Sequence, residues 1–540
     1  MGDYSVQEES KRFLHERLLE DASLQLPPSF AEAAKKIRFV GDDPKPFIPT
    51  PCKITESASA LTALVAAAAS AVAADRYGID YQDVEVNTDL ATLFLESVLL
   101  PTVNGQSFLT HPHLQREFKR GDLYDLNKPI HQEATNVYQT RDGRWYHLHG
   151  SMNAAATMGM VGVPEQDVTR EEAIAIYADK VAQHDAAALE KQANDELRQA
   201  GVTCLTPAEF FASEQGKVMG AEPLWNRREL KAPRSAWPAA REEASAFKPL
   251  AGIRVIDFSR VIAAPVISKV LAVLGADVVK VTNENLPDIA LLWMDLSTGK
   301  RDANIDMKTD EGKRAFAKLV EGADVLVDGY RPGALARLGF DSEGLRKINE
   351  KLIYVRENCY GFKGPLAYRS GWQQISDCLV GISWLQGEFM GLNEPVVPLL
   401  PNSDYQTGLI GAAAILQALL ERTKNDATYD IDVSLTQYNI WYYRLGQYTP
   451  QQQKELLARN EGFHVRHYDE MQTLLFKSHD AIKKARPDLF THPEYFWNMT
   501  GKEWGIDADI SILAPAFKFE KSKLEYTVPS GSRGRSKPEW

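Results

Sequence analysis

The sequence predicts an α/β protein built on a doubly wound, Rossmann-like parallel sheet, together with a smaller α+β domain. From residue 250 onward, short apolar runs alternate with segments of helical spacing, which is the pattern of successive βαβ units. The chain has 540 residues, of which 44% are hydrophobic and 25% charged, so it contains enough apolar material for a large core.

Five short apolar runs are the predicted strands, in chain order: Ile253–Asp257, Asp277–Val281, Ala303–Met307, Asp324–Asp328 and Leu352–Arg356. Helical spacing predicts the helices that connect them: Pro265–Leu274, Thr309–Glu321 and Asp341–Asn349. No GxGxxG motif follows the first strand, and no GxxxxGK[ST] motif occurs in the chain. Rossmann-type NAD binding and P-loop ATP binding are therefore not predicted.

An internal repeat is indicated in the first half of the chain. The stretch ESASALTALVAAAASAV, from Glu56, lines up with DYQTGLIGAAAILQALL, from Asp404, and residues 84–86 line up with residues 431–433. In both copies an acidic residue opens an alanine-rich helix and a short strand follows. The apolar part of the first helix, Ala58–Ala74, is shorter than the roughly 20 residues that span a bilayer, so we expect a buried helix.

Charge and cysteine usage exclude several classes of function. The net charge of −12 argues against nucleic acid or an anionic membrane surface as a partner. The four cysteines are widely spaced and form no CxxC pair, which argues against a disulfide framework and a zinc site. We expect no metal and no redox cofactor. The polar, acidic N-terminus is unlike a signal peptide, so we expect a cytoplasmic protein.

Several motifs carry a family resemblance, and they lie at Leu250–Val281, Gly299–Phe316, Ala323–Phe340, Tyr360–Pro365, Ser403–Arg422 and Ile512–Phe519. In this order they resemble the class III CoA-transferase family of the CaiB/BaiF type, which includes formyl-CoA and carnitine CoA-transferases. The resemblance covers residues 250–435 and the tail almost continuously. It implies a large α/β domain, a small domain and, in relatives, an interlocked homodimer. Here the small-domain-like segment, residues 136–225, precedes the large domain, so monomer and homodimer both stay open.

The predicted organisation has five parts, in chain order: an N-terminal arm (1–54), a degenerate half unit with the small domain (55–230), a linker (231–249), the Rossmann-like CoA-binding and catalytic domain (250–435), and a C-terminal helical segment whose tail returns to the large domain (436–540).

The resemblance implies that Asp404, in the motif NSDYQTG, is the catalytic carboxylate. A carboxylate can attack an acyl-CoA thioester to form a mixed anhydride, and the released thiolate can then form an enzyme-bound thioester. CoA would be a co-substrate, with no permanently bound cofactor, and the partners would be an acyl-CoA and a carboxylic acid. Judged by position alone, an aspartate before an alanine-rich helix is more often an N-cap. Glu56 holds the equivalent place in the first copy and is interpreted as a relic cap.

The resemblance also implies a set of CoA contacts: Val261, Ile262, Ala263, Lys300, Arg301, Tyr330 and Arg337, to which we add Arg331 as a phosphate ligand. The turn after the first strand would present its backbone to the nucleotide. Alternatively, Lys300 and Arg337 are ordinary surface charges and Tyr330 covers the sheet edge.

Two alternatives to CoA transfer remain from the sequence. The same fold serves α-methylacyl-CoA racemases, which use a histidine in a GHD-type motif together with the aspartate. Here Trp372 stands where that histidine would be, and tryptophan cannot exchange protons at neutral pH. A non-catalytic acyl-CoA-binding protein is the second alternative, motivated by the unusual domain order and by Asn358 and Cys359 ahead of Tyr360. The sequence does not identify the donor acid, the acceptor acid or the pathway.

Overall fold

The computed structural model describes residues 4–239 and 246–540 of the chain. Residues 240–245, which belong to the predicted linker, lie outside the described residues. The central feature is a seven-stranded sheet, with strands β1 (Asn226–Lys231), β2 (Arg254–Phe258), β3 (Asp277–Thr282), β4 (Lys300–Asn304), β5 (Val325–Asp328), β6 (Ile353–Asn358) and β7 (Ala427–Ser434).

The strand order in this sheet is β4-β3-β2-β5-β6-β7-β1. Strands β2 to β7 are parallel, and β1 pairs antiparallel with β7 at the edge. The order reverses between β2 and β5, which is the topological switch point of a doubly wound sheet. The predicted fold class is thereby confirmed, with one addition: the edge strand β1 comes from the chain before the predicted large domain.

The longer helices among the described residues are α1 (Ile54–Tyr77), α2 (Pro112–Asp122), α3 (Arg170–Val181), α4 (Ala263–Val273), α5 (Asp310–Glu321), α6 (Gln373–Val380), α7 (Ile382–Phe389), α8 (Asn402–Glu421), α9 (Leu435–Arg444), α10 (Pro450–Arg459) and α11 (Met471–Ala485). Three small sheets complete the fold: Ile37–Val40, Val84–Asn87 and Phe517–Phe519; Thr102–Val103, Gln106–Ser107, Phe496–Thr500 and Asp509–Leu513; and Val137–Gln139, Trp145–Leu148 and Gly201–Thr203.

Most predicted strands and helices lie within a few residues of their observed positions. The strand predicted over Ala303–Met307 is the exception, because it begins earlier, at Lys300, and ends at Asn304. The apolar residues Ile305 and Met307 are buried beyond the strand end, so their hydrophobicity marks the core and not the strand.

Helix α8 is buried along almost its whole length between α4 and α1. Glycines make the close crossing with α4 possible: a Cβ added at Gly408 would lie 2.6 Å from Val266 Cβ, and one at Gly411 would lie 2.5 Å from Ile267 Cδ1. Such distances are shorter than any normal carbon–carbon contact. The small residues of the motif therefore let α4 and α8 pack closely beside the sheet.

Helix α1 has 24 residues and is long and apolar enough to cross a membrane, yet 94% of its most apolar 18-residue window is buried inside the structure. The prediction of a buried helix is confirmed. The argument that it is too short to span a bilayer was wrong, because the helix has 24 residues and extends beyond Ala58–Ala74 at both ends. The internal repeat stays a prediction. Both α1 and α8 are followed by a parallel strand.

Candidate active site

A cavity of about 310 Å³ lies at the carboxyl ends of β2, β5 and β6, beside the switch point of the sheet. Ligands of open α/β sheets bind in this crevice. Its floor includes the turn after β2, the turn after β5 and the end of β6. A segment from the first half of the chain, residues 151–153, closes the opposite side.

The turn between β2 and α4 presents Val261, Ile262 and Ala263 to the cavity, as predicted. Val261 has a φ of 69°, in the left-handed region that a β-branched residue rarely adopts, at a cost of about 1–3 kcal/mol. Helix α4 begins at Ala263 without a side-chain cap, so its first N–H groups are free to bind an anion. Beside this turn, a Cβ at Gly329 would lie 2.5 Å from Ala264 Cβ, which explains why glycine follows β5.

Asp404 lines the same cavity and is half-buried. The sequence placed it just before its helix, but α8 begins at Asn402, so Asp404 is the third residue of the helix. The N-terminus of α8 has no side-chain cap, which excludes the simple capping role in this structure. Burial raises the pKa of Asp404 well above its usual range, and the neighbouring carboxyl groups of Glu357 and Asp377 add to the effect.

Three further carboxyl groups belong to this region: the charges of Glu357 and Asp377 act on Asp404, and the charge of Asp328 acts on Glu357. Asp377 is buried and accepts hydrogen bonds from Ser403 Oγ at 3.0 Å and Asn439 Nδ2 at 2.8 Å; burial raises its pKa to about 7. Asp328 accepts from the Tyr354 hydroxyl at 2.9 Å, and burial raises its pKa to about 6.

Glu357, near the end of β6, is 9% exposed and lines the cavity beside Asp404. Burial, followed by the charge of Asp328, raises the pKa of Glu357 to about 8.

Two of the predicted cofactor contacts line the cavity with the β2 turn. Tyr330 packs its ring on Phe258, with centroids 4.4 Å apart, and burial raises the pKa of its hydroxyl to about 12. Arg331 is exposed at the rim and donates a hydrogen bond to the carbonyl oxygen of Arg198 at 3.2 Å. Arg337 is exposed on the short helix Ala334–Arg337 and does not line the cavity.

Lys300 and Arg301 lie away from the cavity, and this corrects their predicted role. The Lys300 ammonium has no exposed surface; it donates to Asp257 Oδ2 at 2.8 Å and to the carbonyl oxygen of Pro265 at 2.7 Å. Burial lowers the pKa of Lys300 to about 8, despite the attraction of Asp257. Arg301 pairs with Asp277 on the neighbouring strand at 2.8 Å. Both charges are already used within the protein, so neither is placed to hold a phosphate.

Sequence reasoning missed several residues that line the cavity. Arg260, one residue before the predicted turn, stacks its guanidinium over Tyr330 at 4.7 Å. Its position directly before the predicted turn at Val261 could have identified it as a residue of the cavity. Arg369 lines the cavity and pairs with Glu190 at 2.6 Å, and Ser151 reaches it from far along the chain; neither had a local signal. Arg260 and Arg331 together supply positive charge at the rim, against the net negative charge of the chain.

Trp372 lines the cavity, with its ring stacked on His149 at 5.0 Å and an interplanar angle of 8°. His149 is buried, and burial lowers its pKa well below the usual value, so its ring is neutral. Its Nδ1 accepts the Ser151 N–H at 2.9 Å, which fixes the proton on Nε2. Among the described residues that line the cavity, none is a histidine, so the racemase alternative gains no proton-transfer residue here.

Glu56 takes a place in α1 that corresponds to that of Asp404 in α8, as the third residue of its helix. Its carboxyl group is fully buried and accepts hydrogen bonds from the hydroxyls of Tyr4 and Tyr448, the latter at 2.8 Å. It neither caps α1 nor lines the cavity. The interpretation of Glu56 as a relic cap is therefore corrected: its partners come from tertiary structure.

The fold and the cavity define a class of protein: an α/β enzyme with a carboxyl group at the mouth of a nucleotide-type crevice. Comparisons with known proteins identify the family. A family model described as CoA-transferase family III matches residues 250–473. An acetyl-coenzyme A transferase, nodX, of Hypoxylon pulicicidum is 36% identical over an alignment that covers 100% of this chain and 94% of the relative. An acyl-CoA transferase of Gibberella moniliformis is 28% identical over an alignment that covers 90% of this chain and 87% of the relative.

A shorter match is the beta subunit of the succinyl-CoA–L-malate CoA-transferase of Chloroflexus aurantiacus, 38% identical over 35% of this chain and 49% of the relative. Among solved structures, a CaiB/BaiF family protein from Brucella suis is 29% identical, with a TM-score of 0.33 over 39% of this chain and 58% of that chain. The chain belongs to CoA-transferase family III. It is a CoA-transferase, and CoA is its co-substrate.

Proposed function

We propose that this enzyme moves CoA from an acyl-CoA to a carboxylic acid through covalent intermediates on Asp404. The Asp404 carboxylate attacks the thioester carbonyl, the C–S bond breaks, and its electron pair leaves with the CoA thiolate. The thiolate then attacks the aspartyl carbonyl of the mixed anhydride, which releases the first acid and leaves an aspartyl-CoA thioester. The acceptor acid reverses these steps and leaves as the new acyl-CoA.

The observation that carries this proposal is the placement of the Asp404 carboxyl group. It faces the cavity, it is not used as a helix cap, and it is partly removed from water. Burial makes its charged form less stable, which favours a nucleophile over a solvated, unreactive carboxylate. The N–H groups at the start of α4 have no side-chain cap and lie at this cavity, so they are candidate donors for the negative charge that develops on the carbonyl oxygen.

Trapping the covalent intermediate tests the proposal. The protein is incubated with a panel of acyl-CoAs, treated with hydroxylamine or borohydride, digested and analysed by mass spectrometry. The names of the relatives suggest acetyl-CoA and succinyl-CoA as the first donors. We expect modification at Asp404, together with ping-pong exchange between labelled acid and acyl-CoA.

Two variants sharpen this experiment. Asp404→Asn removes the nucleophile with little change in shape, and we expect neither a trapped peptide nor exchange. Asp310→Asn is the matched control, because Asp310 also lies in the first turn of a helix but is exposed on α5, away from the cavity. Full exchange activity in Asp404→Asn, or no modification of Asp404 with any donor, would contradict the mechanism. Exchange of α-protons with solvent, without exchange of acids, would indicate an isomerase.

We also propose a cytoplasmic location. The support is that the four cysteines are all free and buried in the structure. Fractionation of the native cells, with an antibody against the chain, measures the location directly.

A further inference from the structure

Glu357 differs from the other carboxyl groups around Asp404 because nothing in the described parts of the chain donates a hydrogen bond to its side chain. Asp377 and Asp328 each accept hydrogen bonds from neighbouring groups. Glu357 is buried to about nine-tenths, and its carboxyl group lines the cavity that also contains Asp404. The Glu357 carboxyl group is therefore reached from the cavity, and it has no hydrogen-bond donor within the described residues, so a substrate bound in the cavity can supply its partner.

The position of Glu357 fits a contact with the reacting group. It lies near the end of β6, and a Cβ added at Gly329, on the adjacent cavity wall, would be 3.7 Å from Glu357 Oε2. Its charge also acts on Asp404 from β6, the strand beside α8. An acyl group attacked by Asp404 would therefore be bound in the cavity that the Glu357 carboxyl group also lines.

We propose that Glu357 is a further catalytic residue, whose protonated carboxyl group donates a hydrogen bond to the carbonyl oxygen that Asp404 attacks. This inference rests on the proposed function of Asp404. When the aspartyl oxygen bonds to the carbonyl carbon, the carbonyl π pair moves to oxygen, and the Glu357 O–H stabilises that oxyanion. The oxyanion pair then re-forms the C=O bond as the C–S bond breaks; the C–S electron pair leaves with the thiolate, and the proton stays on Glu357.

The surroundings of Glu357 keep it protonated near neutral pH. The charge of Asp328 on β5 acts on Glu357. The titratable and charged side chains that line the cavity with it, among the described residues, are Asp404, Cys359, Tyr330, Arg260, Arg331 and Arg369. Burial and the charge of Asp328 raise the pKa of Glu357 to about 8. The pKa values of Asp404 and Glu357 are both raised, and the two groups titrate as a coupled pair. The proposal assigns the negative charge of this pair to Asp404 and the proton to Glu357.

The pH dependence of kcat/KM and kcat in substituted enzymes tests this role. In the unsubstituted enzyme, kcat/KM falls on the alkaline side, near the pKa of about 8, as Glu357 loses its proton. Glu357→Gln keeps a hydrogen-bond donor that does not titrate, so kcat stays within roughly tenfold and the alkaline fall disappears. Glu357→Leu loses the donor, and kcat falls on the order of 10²–10³-fold with little change in KM for acyl-CoA.

A second substitution changes the charge next to Glu357 and leaves the residue itself intact. Asp328→Asn removes a neighbouring negative charge, so the alkaline fall should move to lower pH. A purely structural role for Glu357 predicts no such movement. Circular dichroism and thermal unfolding of each variant show whether it is folded; should Glu357→Leu not fold, the pH profiles of the other two variants still decide.

The outcomes separate this inference from the proposed function. Full activity of Asp404→Asn overturns both. If Asp404→Asn is inactive while Glu357→Leu keeps its kcat, or if Glu357→Gln keeps the alkaline fall unchanged, the role of Asp404 stands and that of Glu357 is rejected.

Discussion

Replacing Lys300 by methionine tests whether this lysine stabilises the fold or binds a phosphate of CoA. Its side chain extends from the first residue of β4 to Asp257 on β2 and to the Pro265 carbonyl oxygen in the first turn of α4. The Lys300 and Asp257 side chains both have 0% exposure. Methionine is similar in length but uncharged, so the Asp257 carboxylate would stay buried. Among the described residues it would keep the hydroxyls of Ser259 and Ser268 as hydrogen-bond donors, and the charge of Lys280.

Removing one member of a buried ion pair costs about 3–5 kcal/mol, since the remaining charge loses its partner but not its burial. We therefore expect Lys300→Met to lower the free energy of unfolding by about that amount. Urea unfolding at neutral pH, followed by tryptophan fluorescence and circular dichroism, measures the change. In the double variant Lys300→Met/Asp257→Asn the buried charge is gone, and part of the stability should return.

Arg301→Met is the matched control, because Arg301 is the next residue and its ion pair with Asp277 is partly exposed. Its loss should cost less than about 1 kcal/mol. The reasoning fails if Lys300→Met unfolds at the same urea concentration as the unsubstituted enzyme while its KM for acyl-CoA rises. That result would restore Lys300 as a phosphate ligand.

Two further predictions concern cofactor binding and helix packing. Arg260→Ala should raise KM for acyl-CoA by roughly 10–100-fold, which is the contribution of one charge-assisted hydrogen bond. Arg337 is exposed and does not line the cavity, so Arg337→Ala should leave KM unchanged in the same steady-state assay. Equal effects of the two substitutions would count against a cofactor contact for Arg260. Gly408→Ala should destabilise the fold by about 1–3 kcal/mol in urea unfolding, because the new Cβ would lie 2.6 Å from Val266 Cβ. Gly159 is also in a helix, but a Cβ there would have no atom within 4 Å, so Gly159→Ala should be neutral or stabilising.

Local patterns in the sequence were sufficient for the elements that build the crevice. Apolar runs predicted β2, β3, β5 and β6, and the turn at Val261–Ala263 followed from its place after the first of them. These features depend on neighbours in the sequence. The resemblance of the motif around Asp404 to a known family placed that residue, and the structure brings it to the same cavity as the turn.

Tertiary contacts decided the features that the sequence did not reveal. Lys300 has the sequence context of a surface cation, but Asp257, which pairs with it, lies two strands away in the sheet. Glu357 follows an arginine near the end of a strand, where a charged residue is usually solvated. Its burial depends on the cover provided by α8 and the cavity walls, which no local pattern encodes.

The first half of the chain completes the crevice of the second half. Residues 151–153 and Gln199 line the cavity, and β1 adds an edge strand to the main sheet. Helix α1 packs on α8, the helix that positions Asp404 in its first turn. Without the first half of the chain, the large domain would expose the nearly continuous apolar face of α8 that α1 covers. It would also lose one wall of the cavity. The position of Asp404 and the closure of the crevice therefore depend on both halves of the chain, and one relative aligns with all of it.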